Sequence, residues 1–325
     1  MSVDTALNQK LSELDLRFDN SWLSPLMSQL EFETRSSGFK YFHPKIYIGD
    51  EWFSPEGVPA IAVPFYLFNN KLSEIEKKQM DFVEGGTETS AMKLLRHEFG
   101  HAFDHAYKIS KRKDFERTFG SPNSKYTHEE RGKKYSTRFV KNLSSTYAQT
   151  HPTEDFAETF AVYISLKGNW YPSYAPYPTI KKKMEYLDYL SKNLKPTPRV
   201  RPPIKEPSFY NIKFLNQTLR SHYARRIRSQ GRYHPKFYDK DLKEIFPREM
   251  TSSNAPISAT NYLLSNKSII VRKTMEKGGF RSYQTMKIFH QFVSRTKKLH
   301  LGLQRKNSNP SSQVINLLVS HLSKD

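Results

Sequence analysis

One short segment has the residue types and spacing that suit metal-dependent hydrolysis: two histidines flank a glutamate at His97, Glu98 and His101. Apolar residues around it recur at helical spacing and predict a helix over residues 90–109. His97 and His101 then lie on one helix face, where their imidazoles can bind a single Zn²⁺. Glu98 points off that line, where it can deprotonate a metal-bound water. An exposed histidine pair on an amphipathic helix is the alternative.

A catalytic zinc site needs a third protein ligand. The arrangement with a third histidine six residues after the second is absent, because Tyr107 occupies that position and Asp104 replaces the usual glycine. Glu154 and Glu158 lie four residues apart on one face of a helix that is predicted to start at Pro152. Their mutual repulsion favours a nearby cation, so Glu154 can be the third ligand, and Glu158 can accept the outer N–H of a ligand histidine.

Other interpretations stay open on spacing alone. Acidic residues near a helix N-terminus also complement the helix dipole without any metal. His128 and His151 are further candidates for the third ligand. His105 continues the histidine helix but drifts round its axis, so a solvated or hydrogen-bonded side chain is the simpler interpretation.

The elements that must position these residues follow from the apolar pattern. Alternation over 45–48 and an apolar run over 60–67 predict strands, and Pro64 marks the second as an edge strand. After the histidine helix, further helices are predicted from Pro152 onward and over 179–193.

Composition limits the class of protein. The chain has no cysteine, which excludes disulfides, a thiol nucleophile and thiolate zinc sites. The N-terminus lacks the apolar core of a secretory signal, and no run of 18 apolar residues occurs, so we expect a cytoplasmic protein without a membrane span. Aliphatic residues are sparse, so aromatic side chains must supply much of the buried area.

The net charge of +20 is distributed unevenly. Residues 1–210 carry +4, whereas residues 211–325 carry +16. Five prolines within residues 195–207 predict an extended linker near this change. We therefore expect three regions: a first domain over 1–194, the linker over 195–207 and a basic accessory domain over 208–325.

Three segments together resemble a known family: EGGT at 84–87, RHEFGHAFDHAY at 96–107 and YAQTHPTEDFAETFAV at 147–162. They are similar to the gluzincin metallopeptidases, in which a downstream glutamate completes the histidine motif. Within that group they look closest to the catalytic domain of anthrax lethal factor and to a set of bacterial zinc-binding metallopeptidases. The resemblance spans about residues 60–190 in patches and does not reach the basic half.

The resemblance implies an α+β fold: a zincin-like domain with a small mixed sheet and active-site helices, then a basic, mostly α-helical region. It implies a zinc peptidase, most simply an endopeptidase acting on protein or peptide substrates. His97, His101 and Glu154 would bind zinc, and Glu98 would be the general base.

Further roles follow from the same resemblance. Tyr147 matches a tyrosine that faces the zinc site, where a phenol could donate to a developing oxyanion. Asp104 lies nearly in line with His97 and is either a hydrogen-bond acceptor behind a ligand or a surface aspartate. The zincin fold also suggests that the strand at 60–66 pairs with an extended substrate, although a core strand fits equally.

The basic half favours a different class of partner. Arginines and lysines over 211–325 alternate with aromatic residues, a mixture that binds phosphate backbones and stacks on bases. No recognised nucleic-acid motif is present, and a basic accessory domain is the simpler interpretation. The alternative function for the whole chain is therefore a nucleic-acid-binding or accessory protein with a non-catalytic zinc site.

Overall fold

The computed structural model describes residues 3–19, 21–80, 82–125, 127, 132–133, 135–208, 210–229, 238–249, 257–278, 282–303 and 310–322. The described residues divide into two compact units. The first lies within 1–77, 83–128 and 132–220, and the second within 78–82, 129–131 and 221–325.

Helices surround a small sheet in the first part of the chain, an α+β arrangement as predicted. In chain order the helices are α1 (Val3–Leu7), α2 (Ser24–Ser36), α3 (Asn70–Met80), α4 (Glu88–Tyr107), α5 (Lys113–Phe119), α6 (Pro152–Ser165), α7 (Tyr171–Tyr174) and α8 (Pro178–Asn193). The strands are β1 (Lys45–Gly49) and β2 (Ala60–Pro64).

The two strands pair in parallel, with Lys45 opposite Ala60. All of β2 is buried, and on its other side the Ala62 N–H donates to the Phe53 carbonyl at 2.9 Å. The prediction that residues 60–66 offer a free edge to a substrate is therefore wrong. The strand lies in the core because the segment around Phe53 covers its second edge.

Helix α4 carries the histidine motif and agrees closely with the predicted helix. It begins after Thr87, whose side-chain hydroxyl accepts the Ser90 N–H at 3.2 Å, a helix-capping contact. It ends at Tyr107, and the next residue, Lys108, adopts a left-handed conformation with φ of 53°. Its predicted apolar stripe is entirely buried: Met92, Leu95, Phe99, Ala102, Phe103 and Ala106.

Aromatic rings form the contact between α4 and α6, as the composition leads one to expect. The Phe103 ring lies 5.0 Å from both the Phe39 ring and the Phe160 ring, measured between centroids. Phe99, also in α4, stacks on Phe160 of α6, with 5.8 Å between the ring centroids. Large rings bury much apolar area per residue, so a few of them fix the two helices against each other.

The segment after α8 differs from the predicted linker. The Val200 N–H donates to the Ala106 carbonyl at 2.9 Å, and Asn211 forms an isolated bridge with Gly49 at the end of β1. These contacts attach residues 195–220 to the first unit, whose limit lies at Arg220. Proline content alone indicated an extended chain, but extended backbone can also hydrogen-bond to a folded surface.

The described part of the second unit is mainly helical. After α9 (Leu219–Ser229), which crosses the division, the elements are α10 (Asp239–Ile245), β3 (Arg248–Glu249), α11 (Ala259–Ser265), α12 (Lys267–Gly278), α13 (Ser282–Lys298), β4 (Leu301–Gly302) and α14 (Pro310–Leu322). Its core includes Leu242, Phe246, Phe289, Phe292 and Leu318. Across the described ranges, no helix is both long and apolar enough to cross a membrane.

Candidate metal centre

The crossing of α4 and α6 depends on a glycine. A Cβ atom at Gly100 would lie 2.9 Å from the Cα atom of Ala157 and 3.2 Å from its carbonyl oxygen. Only a residue without a side chain permits this approach without a shift of the backbone. Gly100 lies between the two histidines of α4, and Ala157 lies between Glu154 and Glu158. The close crossing therefore brings the histidine pair and the glutamate pair together.

Three side-chain atoms meet at this crossing. The Nε2 atoms of His97 and His101 lie 3.0 Å apart, and each lies 3.2 Å from Oε2 of Glu154. His97 and Glu154 are buried, while the His101 side chain is 16% exposed. The three residues form a cluster that could hold a metal ion.

Glu158 fixes the orientation of the first histidine. Its Oε1 atom lies 2.9 Å from Nδ1 of His97, and the whole residue is buried. A carboxylate accepts hydrogen bonds, so Nδ1 of His97 carries a proton, and in the neutral imidazole Nε2 would present the lone pair that binds a metal. A carboxylate on the outer nitrogen is the usual partner of a metal-binding histidine.

The donor set fits zinc. Four ligands at about 2.0–2.1 Å in a tetrahedron are about 3.3–3.4 Å from one another, close to the 3.0–3.2 Å observed here. Two imidazoles and one carboxylate are also the ligand types found in catalytic zinc sites with three protein ligands.

The electrostatics show that this cluster favours a positive charge. Burial by itself lowers the pKa of His97, but hydrogen bonds to Glu154 and Glu158 outweigh burial and raise it to about 10. Burial raises the pKa of Glu154, but the charges and hydrogen bonds of His101 and His97 bring it well below its usual range. Two buried carboxylates thus stabilise a cation at this point, and a metal ion can take the place of the proton.

Glu98 is buried beside the cluster, and its side chain lines a cavity that the three clustered residues also line. Burial raises its pKa, while the charges of His97 and His101 act in the opposite direction. It also accepts a backbone hydrogen bond from Ser54. A raised pKa suits a carboxylate that must take up a proton and give it away again.

A cavity of about 500 Å³ opens onto these side chains. It is lined by residues of α4 between His97 and His105 and by residues 52–54 and 122–124. Tyr147, in a short 3₁₀ turn over Tyr147–Gln149, lines it as well. The Tyr147 ring lies 5.3 Å from the His97 ring in an edge-to-face contact, so the tyrosine is next to the cluster.

Comparison with known proteins points the same way. Residues 81–182 match the model of a family described as "Putative zinc-binding metallo-peptidase". The matched segment contains the three clustered residues together with Glu98, Tyr147 and Glu158. The chain matched no curated protein and no solved structure. The family match and the cluster together fit a zinc peptidase in general.

Two predicted residues of α4 make contacts other than ligation. Asp104 is buried, and its Oδ1 atom accepts the Ser110 N–H at 2.7 Å. It therefore holds the turn after α4, although it also lines the cavity. Nδ1 of His105 lies 3.3 Å from the Ser54 hydroxyl, in agreement with a hydrogen-bonded helix histidine. Burial lowers the pKa of His105, although the charge of Asp104 raises it.

The alternative third ligands do not join the cluster in the described ranges. His151 is the N-cap of α6: its Nδ1 atom accepts the Thr153 N–H at 3.3 Å, and its Nε2 atom lies 3.0 Å from the Ser124 carbonyl. Both ring nitrogens are thus engaged away from the metal cluster. His128 lies outside the described residues.

Sequence reasoning missed the residues that contact Glu158. The backbone N–H groups of Asn142 and Leu143 donate to Oε2 at 3.2 and 2.9 Å, and the Asn142 side chain donates to Oε1 at 3.0 Å. The backbone hydrogen bond from Ser54 to Glu98 was missed as well. Backbone donors have no residue-type signature, and no spacing in the sequence links the Asn142 side chain to Glu158, so no pattern could have identified these contacts.

Proposed function

We propose that this chain is a zinc-dependent endopeptidase of gluzincin type, acting on protein or peptide substrates. One observation carries the proposal: two imidazole nitrogens and the Glu154 carboxylate lie within 3.2 Å of one another, with Glu98 beside them in one cavity. Three protein ligands next to an open cavity are typical of a catalytic zinc site, whereas structural sites use four.

His97, His101 and Glu154 would hold the metal. A zinc ion bound there would supply a Lewis acid that polarises the scissile carbonyl and acidifies a water molecule. Glu98 takes a proton from the attacking water at its carboxylate and delivers that proton to the leaving amine. Its burial and raised pKa support both transfers, because the protonated form is accessible.

Tyr147 would act on the carbonyl side of the reaction. Its ring contacts His97 and lines the cavity, so its hydroxyl can donate to an oxyanion that develops beside the metal. Glu158 keeps the Nδ1 proton on His97 and so maintains the orientation of that ring.

A peptide library with blocked termini tests this function, because only an endopeptidase cleaves peptides that lack free ends. We expect the zinc-loaded wild type to cleave members of the library. Glu98→Gln should lose about 100-fold or more of the cleavage rate, since it removes the proton acceptor, and should still bind one zinc. Glu88→Gln changes an exposed glutamate of the same helix and should cleave like the wild type. A fully active Glu98→Gln variant would contradict the mechanism.

A further inference from the structure

Glu158 lies behind the metal cluster, on the far side of the His97 ring. This carboxylate is fully buried in α6 and accepts from the His97 ring at 2.9 Å. Among the described residues, Asn142 and Leu143 supply its three other donors, at 2.9–3.2 Å. Four donors around two oxygens hold a buried carboxylate in one orientation and compensate for its lost hydration.

Asn142 contributes more of this arrangement than any single neighbour. Its backbone N–H reaches Oε2 of Glu158, and its carboxamide nitrogen reaches Oε1. The same carboxamide nitrogen donates to the Lys93 carbonyl at 3.2 Å. Lys93 lies one turn before His97 in α4. Asn142 therefore joins the helix of the ligand histidine to the carboxylate that orients it.

The segment that carries Asn142 is itself fixed. Nζ of Lys183, in α8, donates to the Arg138 carbonyl at 2.8 Å and pairs with Asp155 of α6 at 2.6 Å. The same ammonium group lies 4.2 Å from the centroid of the Phe139 ring. Lys183 and Asp155 are both buried. This anchor holds the backbone just before Asn142 against the two helices.

We propose that Asn142 is a positioning residue of the metal centre. By fixing Glu158, it keeps the proton of His97 on Nδ1 and leaves Nε2 free to bind the metal. The inference rests on the proposed metal site and adds a residue that touches neither metal nor substrate. Neither the histidine motif nor the glutamate pair identifies it.

Zinc titration of the metal-free full-length chain tests the proposal. Asn142→Ala should weaken zinc binding by about 10–100-fold, the usual effect of removing a hydrogen-bond partner of a metal ligand. Asn142→Asp, of equal size, should weaken it at least as much, because it replaces a donor with a like charge. Asn193→Ala is the matched control: Asn193 is exposed and donates to the Tyr189 carbonyl, so zinc affinity should not change.

A double-mutant cycle separates positioning from simple destabilisation. In a Glu158→Gln background, Asn142→Ala should cause less than its full loss of zinc affinity, because its target is already altered. Proton NMR of the zinc-loaded variants should show a weaker hydrogen bond from the His97 Nδ1–H to Glu158 in Asn142→Ala, as an upfield shift and faster exchange of that proton. Thermal unfolding of the metal-free variants reports any loss of fold.

The outcomes are distinct. Wild-type zinc affinity in Asn142→Ala, or an undiminished loss in the Glu158→Gln background, would overturn the positioning role while leaving the metal site intact. Failure of the wild type itself to bind zinc would overturn the proposed function instead.

Discussion

At the scale of single residues, the centre combines two kinds of carboxylate. Oε2 of Glu154 lies 3.2 Å from Nε2 of each histidine, whereas Glu158 contacts the histidine pair at the outer nitrogen of His97. Both carboxylates are buried, and both favour a positive charge at the histidines they contact. Glu98 follows His97 directly but makes none of these contacts with the histidines. Its carboxylate is therefore available for the proposed proton transfer.

The pKa of His97 makes a prediction for the metal-free protein. Burial lowers that pKa, but Glu154 and Glu158 raise it to about 10, above the ordinary value of about 6.5. A raised folded-state pKa contributes stability that is fully present below pH 6.5 and is lost as the pH rises through about 10. Chelated wild type should therefore lose unfolding free energy across this window relative to chelated His97→Gln. Denaturant titrations at a series of pH values measure this difference. Unfolding free energies of the two proteins that change in parallel with pH would contradict the prediction.

At the scale of elements, the site depends on how closely α4 and α6 cross. The sequence predicts both helices and the faces that carry His97, His101 and Glu154, because spacing within one helix is a local property. It does not predict the cover over the second edge of β2, or that Asn142 lies behind Glu158. Those contacts arise from packing between distant segments and from backbone donors that any residue type can supply.

Substitution of Gly100 tests the crossing. In an ordinary helix interior, glycine to alanine stabilises by about 0.5–1 kcal/mol. Here the added methyl would meet the Ala157 backbone at 2.9 Å, so we expect Gly100→Ala to destabilise by about 1–3 kcal/mol and to weaken zinc binding as the helices separate. Thr89→Ala, at an exposed position of the same helix, should leave zinc affinity unchanged. Denaturant titration measures the stability of each variant, and zinc titration measures its zinc affinity. A Gly100→Ala variant that is more stable than the wild type and binds zinc normally would refute the argument that the close crossing requires glycine.

At the scale of the whole molecule, the metal cluster and most of the net positive charge lie in different parts of the sequence. The first unit holds the metal cluster and its cavity, while most of the net charge of +20 belongs to residues 211–325. The second unit has its own apolar core, so it is a folded region in its own right. Polyanion binding by this region stays a prediction from composition.

A shortened chain tests that separation. A fragment of residues 1–229 keeps α9 whole and contains the three candidate ligands, Glu98, Glu158 and its donors. It should bind one zinc with the affinity of the full chain. Parallel zinc titrations of the fragment and the full chain measure this. A folded fragment with clearly weaker zinc binding would show that residues 230–325 contribute to the site.

The central claim is that His97, His101 and Glu154 hold one zinc ion, and metal titration of Glu154→Ala tests it most directly. Wild type and Glu98→Gln should each bind one zinc per chain with similar affinity. Glu154→Ala should lose more than the roughly 10–100-fold that follows removal of a ligand's hydrogen-bond partner, because it removes a ligand itself. Wild-type stoichiometry and affinity in Glu154→Ala would contradict this metal centre.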